Sequence, residues 1–153
     1  AVLSDRDVTF VFDDGEFEGP LAGIFGASEA IDASWFFCCG CDMPLLSPAA
    51  IQWLIGELGD QLRRSATRPA VVAVRDREGH PNPLHTLYRT SAIETHRDDL
   101  LPTAGPRALL ASLDAVSTVP VRAAPDAVPV DASLTNVNTR TDLRTAVSRT
   151  VTE

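Results

Sequence analysis

Lysine is absent from this sequence, and all 13 basic residues are arginines. They are outnumbered by 21 acidic residues, so the formal net charge is −8 at pH 7. An acidic surface repels the phosphate backbone of nucleic acids and anionic lipid headgroups, so we expect neither nucleic acid nor a membrane as a partner. The lack of lysine and the excess of aspartate over glutamate fit either a salty cytoplasm or a GC-rich coding bias.

Long apolar runs are also lacking, and the apolar stretches present are too short to cross a bilayer. No basic segment precedes an apolar one at the N-terminus, as a secretory signal would require. The cysteines Cys38, Cys39 and Cys41 form an odd, clustered set, which is a poor disulfide framework and indicates a reducing compartment. No second CxxC or HxxxH pair completes a zinc site. We therefore predict a cytoplasmic protein whose cysteines are small core residues.

Two hydrolase motifs, GxSxG and HExxH, are missing, so none of the three histidines lies in a recognisable catalytic context. His80 and His85 flank prolines, and we expect both to be structural loop residues. Contact with a substrate stays open for them, because both follow a predicted strand.

What is present is a regular alternation of strand-like and helix-like segments, which predicts an α/β fold with a mainly parallel sheet. We expect one domain over residues 1–153, built as a Rossmann-like three-layer α/β/α sandwich. In such sheets ligands bind beyond the carboxyl ends of the strands. The predicted strands are Val8–Phe12, Trp35–Cys39, Ala70–Val74, Leu84–Tyr88 and Val116–Val121, and the predicted helices are Pro20–Ala33, Pro48–Arg64, Ser91–Leu100, Pro106–Leu113 and Thr141–Val151.

Asp13 and Asp14 follow the first predicted strand and precede a glycine-rich helix start, Gly19-Pro20-Leu21-Ala22-Gly23. Such a start allows a ligand to approach the backbone near the positive end of the helix dipole. A carboxylate there suits the adjacent N1–H and N2–H donors of guanine. An ordinary strand–turn–helix connection is the alternative.

Two further polar sites follow predicted elements. Asp42 comes directly after the second strand, where one carboxylate can hold Mg²⁺ together with phosphate oxygens and waters. It could equally be a turn residue before Pro44. Asn136 and Asn138 point to one side of an extended segment and could bind a polar heterocycle. They could instead fix the loop, with Thr139 or Thr141 capping the last helix.

The order of these motifs resembles the molybdenum cofactor guanylyltransferase (MobA-type) family along nearly the whole chain. The matching segments are GPLAGI (Gly19–Ile24), CDMPLL (Cys41–Leu46), PLHTLYR (Pro83–Arg89), VPV (Val119–Val121) and NVNTRTDL (Asn136–Leu143).

The resemblance implies a nucleotide-diphospho-sugar-transferase-like fold and transfer of GMP from GTP to molybdopterin with Mg²⁺ as cofactor. Asp42 would be the catalytic residue that binds the metal and the nucleotide phosphates. Asp13 or Asp14 would lie by the guanine, together with the Gly19-Pro20 turn. Asn136 and Asn138 would face the pterin. The resemblance also suggests transient contact with other proteins of molybdenum cofactor biosynthesis.

The sequence departs from the family in one respect. The family begins with a glycine-rich phosphate loop that contains Arg and Lys, and nothing like it occurs here. We expect the family's first strands and this loop to belong to a longer chain, and residues 1–153 alone to be inactive. The alternatives are a degenerate module that binds the pterin or partner proteins without catalysis, and a sibling nucleotidyltransferase with another base or acceptor.

Overall fold

The computed structural model describes residues 8–150, which form six α-helices and one four-stranded sheet. Short 3₁₀ turns occur at Arg97–Asp99 and Val121–Ala123. The strands are β1 (Trp35–Cys39), β2 (Val71–Arg75), β3 (Pro81–Arg89) and β4 (Val116–Pro120), and the helices are α1 (Pro20–Ala30), α2 (Pro48–Arg64), α3 (Thr90–Thr95), α4 (Pro106–Ser112), α5 (Val130–Ser133) and α6 (Arg140–Thr150).

The strand order in the sheet is β1–β3–β2–β4. Strand β2 pairs with β4 in parallel, whereas β3 is antiparallel to both of its neighbours. Three strands therefore run in one direction and β3 runs in the other. The expected α/β class is confirmed, but the sheet is mixed rather than mainly parallel in its pairing.

The reversal at β3 follows from the short connection between β2 and β3. Parallel neighbours need a crossover of about a dozen residues or more, and residues 76–80 are too few. The Asp76 carboxylate closes this turn, because its Oδ1 accepts the backbone N–H groups of Glu78 and His80, both at 2.9 Å. The two strands therefore form a hairpin.

Helices cover both faces of the sheet, which gives the expected three layers. Side chains of successive strand residues point to opposite faces, so Val71 packs with α1, α3 and α4, whereas Val72 packs with α2 and α5. In α2 the buried residues Ala50, Leu54 and Leu58 recur every four positions, as expected for one helical face. Ile55, the next residue after Leu54, is half exposed.

The predicted strand at Val8–Phe12 is wrong, since this segment is irregular. Phe10 is 84% exposed and Phe12 is 95% exposed. The chain just after it is held against α1 by a hydrogen bond of 2.9 Å from the Asp14 N–H to the Ala22 carbonyl. The apolar composition was typical of a strand, but among residues 8–150 no strand pairs with this segment.

Other elements differ from expectation mainly at their ends. Helix α1 stops at Ala30, and α3 stops at Thr95 before the Arg97–Asp99 turn. Helix α5 was not predicted, and the expected end of the last helix at Val151 lies outside the described residues. None of the helices within residues 8–150 is long and apolar enough to span a membrane.

Candidate functional site

Asp42 lies in the loop of residues 40–47, which leads from the end of β1 to the start of α2. It is partly buried. Its backbone carbonyl accepts a hydrogen bond of 2.8 Å from the Val137 N–H. The loop that carries Asp42 is thereby joined to the loop that carries Asn136 and Asn138, although the two are far apart in sequence.

Gly40 leaves the space in which the Asp42 carboxylate sits. A Cβ placed on Gly40 would overlap Oδ1 of Asp42 and lie 3.6 Å from its Cγ. The carboxylate therefore rests against bare backbone, and any side chain at position 40 would displace it.

Asn136 and Asn138 are both exposed on either side of Val137. The helix that follows is capped by a reciprocal pair, in which the Thr139 Oγ1 accepts the Asp142 N–H at 3.2 Å and the Asp142 Oδ2 accepts the Thr139 N–H at 2.8 Å. Asp142 also accepts the Asn138 N–H at 3.1 Å. The Thr139 side chain and these backbone hydrogen bonds hold the pKa of Asp142 below its ordinary value. Of the two candidates, Thr139 is thus the cap.

Asp13 and Asp14 have different surroundings. The Asp14 carboxylate is only 5% exposed, pairs with Arg97, and accepts the Glu16 N–H at 2.8 Å. Asp13 is exposed, and its Oδ1 lies 3.6 Å from where a Cβ on Gly23 would be. Asp13 is therefore the carboxylate that borders the first turns of α1, whereas Asp14 is engaged within the protein.

Helix α1 begins with Pro20 immediately after Gly19, whose φ of 60° lies in the left-handed region that favours glycine. Pro at the first helical position has its φ already set for the helix. The sequence expectation of a glycine-dependent helix start is confirmed at this position.

Arg97 is the centre of a cluster that sequence reasoning missed. Its guanidinium pairs with Asp14, with Glu16 at 3.2 Å, and with Glu29. It also lies 5.9 Å and 5.8 Å from the ring centroids of Phe17 and Phe25, within the range of a cation–π interaction. These contacts fix the segment between Asp13 and α1. Nothing local in the sequence marks Arg97, because its partners come from distant positions.

A cleft of about 380 Å³ lies between the β2–β3 turn, the start of α4 and the Asn136 loop. Besides Asn136, its polar lining includes Asn82 and Arg107. Sequence reasoning identified neither of these two. Asp76 and His80 of the β2–β3 turn also line the cleft. With Glu78 of the same turn they form a group in which one ligand atom from each residue lies within 4.8 Å of the others.

His85 is not a loop residue, which corrects our expectation. It lies in the central strand β3 and is completely buried. Its Nε2 is 2.9 Å from the Ser133 Oγ in α5. Burial lowers the pKa of His85 below its ordinary value of 6.5, because desolvation disfavours the charged ring. His80 is exposed in the β2–β3 turn, as expected of a loop residue.

The cysteines also differ from expectation. Cys38 packs partly buried against the core on the α1 face, and burial raises the pKa of its thiol to about 12. Cys39 and Cys41 are exposed, so they are not core residues. All three are free thiols.

Two mycobacterial proteins are similar in sequence to most of this chain. It is 34% identical over 146 residues to a protein of Mycobacterium avium named "probable molybdenum cofactor guanylyltransferase", and 36% identical over 146 residues to one of the same name from Mycolicibacterium paratuberculosis. Each alignment covers 93% of this chain and 66% of the relative. The chain thus spans slightly less than two thirds of the length of these relatives.

A solved structure shares the fold. Molybdopterin-guanine dinucleotide biosynthesis protein A from Archaeoglobus fulgidus superposes with a TM-score of 0.74 at 22% identity, over 99% of this chain and 73% of that one. The sequence model of the MobA-like NTP transferase domain matches residues 1–116, which is most of the chain. The chain therefore belongs to the family of MobA-like NTP transferase domains.

Proposed function

We propose that this chain is part of a nucleotidyltransferase that transfers GMP from GTP to molybdopterin. The observation that carries the proposal is the hydrogen bond of 2.8 Å from the Val137 N–H to the Asp42 carbonyl. It joins the loop with the candidate metal carboxylate to the loop with Asn136 and Asn138. Group transfer requires that the two substrates lie side by side in a fixed orientation, and adjacent loops meet that need.

The topology supports a position for the remaining candidates at the same end of the sheet. Helix α1 leads into β1 through residues 31–34 and packs on the sheet, so its first turn lies near the end of β1 where Asp42 follows. Helix α4 leads into β4 in the same way, and its first turn lines the cleft with Asn136. Ligands of open α/β sheets bind at this end.

Asp13 and the Gly19-Pro20 turn are the proposed contacts for guanine. Asp13 is exposed beside Gly23 and can accept hydrogen bonds from the ring N1–H and from the exocyclic N2 amino group of guanine. Asp14 is excluded from this role by its engagement with Arg97 and with the Glu16 N–H. These surroundings support Asp13 rather than Asp14 as the proposed guanine contact.

The surroundings of Asp42 fit Mg²⁺, which in nucleotide sites takes one or two protein carboxylates and completes its shell with phosphate oxygens and waters. The carboxylate is held against Gly40, where a Cβ would displace it. When bound, the ion would supply positive charge to the nucleotide phosphates. The chain's own part is to hold the carboxylate in place and to orient the acceptor.

The acceptor side consists of Asn136 and Asn138 with the adjoining cleft, where Arg107 is the cation in the lining. In the proposed reaction an oxygen of the terminal phosphate of molybdopterin attacks the α-phosphorus of GTP. A new P–O bond forms, the bond from the α-phosphorus to the bridging oxygen breaks, and pyrophosphate leaves. Alignment and charge neutralisation supply the catalysis, and no side chain needs to move a proton.

Free thiols at Cys38, Cys39 and Cys41 support a reducing compartment such as the cytoplasm. There the protein would exchange substrate and product with other proteins of molybdenum cofactor biosynthesis.

The test is to measure pyrophosphate release with molybdopterin and GTP, CTP or ATP in the natural full-length protein and in its Asp42→Asn variant. We expect release with GTP and a loss of at least about 100-fold in Asp42→Asn, similar to the loss found when one group that stabilises transition-state charge is removed. Asp126→Asn is the matched control, because Asp126 is exposed in a loop away from these contacts. Activity with CTP or ATP alone would favour a sibling enzyme. Pterin binding without release would favour a non-catalytic module.

A further inference from the structure

His85 and Ser133 form a buried polar contact that the proposed reaction does not use. His85 is 0% exposed in β3, one of the two inner strands of the sheet, and Ser133 is also 0% exposed in α5. The Phe37 ring meets the imidazole edge-on, with 5.1 Å between the ring centroids. Polar groups are costly to bury without a hydrogen-bond partner. Nε2 of His85 has Ser133 as its partner, whereas Nδ1 is buried without one among the described residues.

The Ser133 hydroxyl has two hydrogen-bond partners. Its Oγ lies 2.9 Å from Nε2 of His85 and accepts the Ser47 N–H at 3.1 Å. A serine hydroxyl has one proton and two acceptor lone pairs, so Ser133 can share a hydrogen bond with Nε2 while it accepts the Ser47 N–H. Burial lowers the pKa of His85, which favours the neutral imidazole in this contact.

The contact joins the two loops of the candidate site at a second point. Ser47 ends the loop of residues 40–47 and precedes α2, and Ser133 ends α5 directly before the loop that carries Asn136 and Asn138. The first point is the bond from Val137 to Asp42. Two points of attachment fix both the distance and the relative rotation of two loops, whereas one point leaves them free to pivot.

We propose that Ser133, oriented by His85, is a positioning residue that sets the acceptor loop against the Asp42 loop and thereby governs binding of the acceptor. This proposal rests on the proposed transferase function. Neither residue touches a substrate in it. Their effect passes through the backbone N–H of Ser47 and through the loop that follows Ser133.

The variants separate positioning from simple packing. Ser133→Ala removes the hydroxyl, and His85→Leu removes the ring nitrogen at similar size. His85→Gln is the conservative variant, because its terminal amide can reach the position of Nε2. The matched control is Ser28→Ala in α1, where a serine that is 2% exposed bonds the Phe25 carbonyl at 2.9 Å. Ser28 is as buried as Ser133 but joins no loops.

The first measurement is steady-state kinetics of the full-length protein. We expect Ser133→Ala and His85→Leu each to raise the KM for molybdopterin about tenfold or more, as a misplacement of the order of 1 Å does. The KM for GTP should change less than about twofold, since uniform loss of the fold would affect both substrates. His85→Gln should recover most of the affinity. The double variant should be no worse than either single one, since the two residues act as one unit.

The second measurement needs no activity. Amide hydrogen exchange of Val137 should become about tenfold faster in Ser133→Ala and stay unchanged in Ser28→Ala, because local opening is set by the contacts of that segment. An unchanged exchange rate at Val137 would show that Ser133 does not hold the two loops together, whatever KM values are measured. Equal rises in KM for both substrates, or the same effect in Ser28→Ala, would overturn the positioning role. A wild-type protein that shows no guanylyl transfer would instead overturn the proposed function, and the exchange result would still decide the attachment.

Discussion

The carboxylate of Asp14, only 5% exposed, pairs with the guanidinium of Arg97, which is 25% exposed and comes from a turn more than half the chain away. This pair separates two neighbouring aspartates that look equivalent in sequence. It also ties the segment before α1 to the Arg97–Asp99 turn after α3.

We expect Arg97→Met to lower the free energy of unfolding by about 1–3 kcal/mol, because it removes the charged partner of the buried Asp14 carboxylate and leaves it only the Glu16 N–H. Urea unfolding monitored by circular dichroism measures the change. Arg77→Met is the control, because its pair with Asp131 lies on the surface, where such pairs contribute little. Equal effects of the two substitutions would contradict the assignment of Arg97 as the anchor of this segment.

Asp13→Asn should weaken the binding of GTP without lowering the stability of the fold. An amide offers one acceptor oxygen where the carboxylate offers two, and a hydrogen bond to a charged group contributes about 1.5–3 kcal/mol, so we expect the KM for GTP to rise about tenfold or more. The unfolding transition should not move, since Asp13 is exposed.

Asp14→Asn should give the opposite result, with reduced stability and a smaller effect on the KM for GTP. Measuring both quantities for both variants tests the division of roles. A larger rise in KM for Asp14→Asn than for Asp13→Asn would reverse our assignment of the guanine contact.

Gly40→Ala should reduce guanylyl transfer and raise the Mg²⁺ concentration needed for half-maximal rate, because the added Cβ overlaps the Asp42 carboxylate. A titration of rate against Mg²⁺ measures this. Gly56→Ala in α2 is the control, because a Cβ there meets nothing within 4 Å. That control should stabilise the helix by up to about 1 kcal/mol and leave the Mg²⁺ dependence unchanged. An identical Mg²⁺ dependence in Gly40→Ala would argue against Asp42 as a metal ligand.

The stability of the protein should fall as the pH drops below 6.5, in part because of His85. Burial holds the pKa of His85 below 6.5 in the folded state, so the unfolded chain binds the proton more readily. Between the two pKa values the unfolded state is therefore favoured as pH falls. The contribution of His85 is complete above pH 6.5 and is lost toward its folded pKa.

Urea unfolding at pH 7.5 and at pH 5.5 measures this dependence, and His85→Gln isolates it from the many carboxylates. The variant should lose less stability than the wild type over this interval. The same slope in both proteins would mean that His85 does not titrate between them.

The strands of the sheet were predictable because their apolar runs are continuous and both faces of the sheet are covered. Val71 and Val72 show this directly, since they point to opposite cores and both are fully buried. The segment Val8–Phe12 has the same composition and is exposed. An apolar run indicates that the segment tends to be buried. It does not indicate which part of the protein, or which partner, would cover the segment.

The direction of β3 could have been predicted from the Asp-Arg-Glu-Gly sequence at residues 76–79, which is a turn signal between two strands. The βαβ alternation elsewhere in the chain instead indicated a mainly parallel sheet. The contacts of the candidate site could not be predicted in this way. Ser133 meets His85, and Arg97 meets Asp14, across long stretches of sequence, and no local pattern encodes such a meeting.

The hairpin of β2 and β3 has a consequence for the order of folding. It joins neighbours in sequence, so closing it costs little loop entropy, whereas β1 and β4 must each be brought in from distant parts of the chain. Because β3 and β2 occupy the middle of the sheet, we expect the hairpin to form early and to offer two open edges on which the outer strands dock. Substitutions in the hairpin should accordingly slow refolding, and those in β4 should mainly speed unfolding.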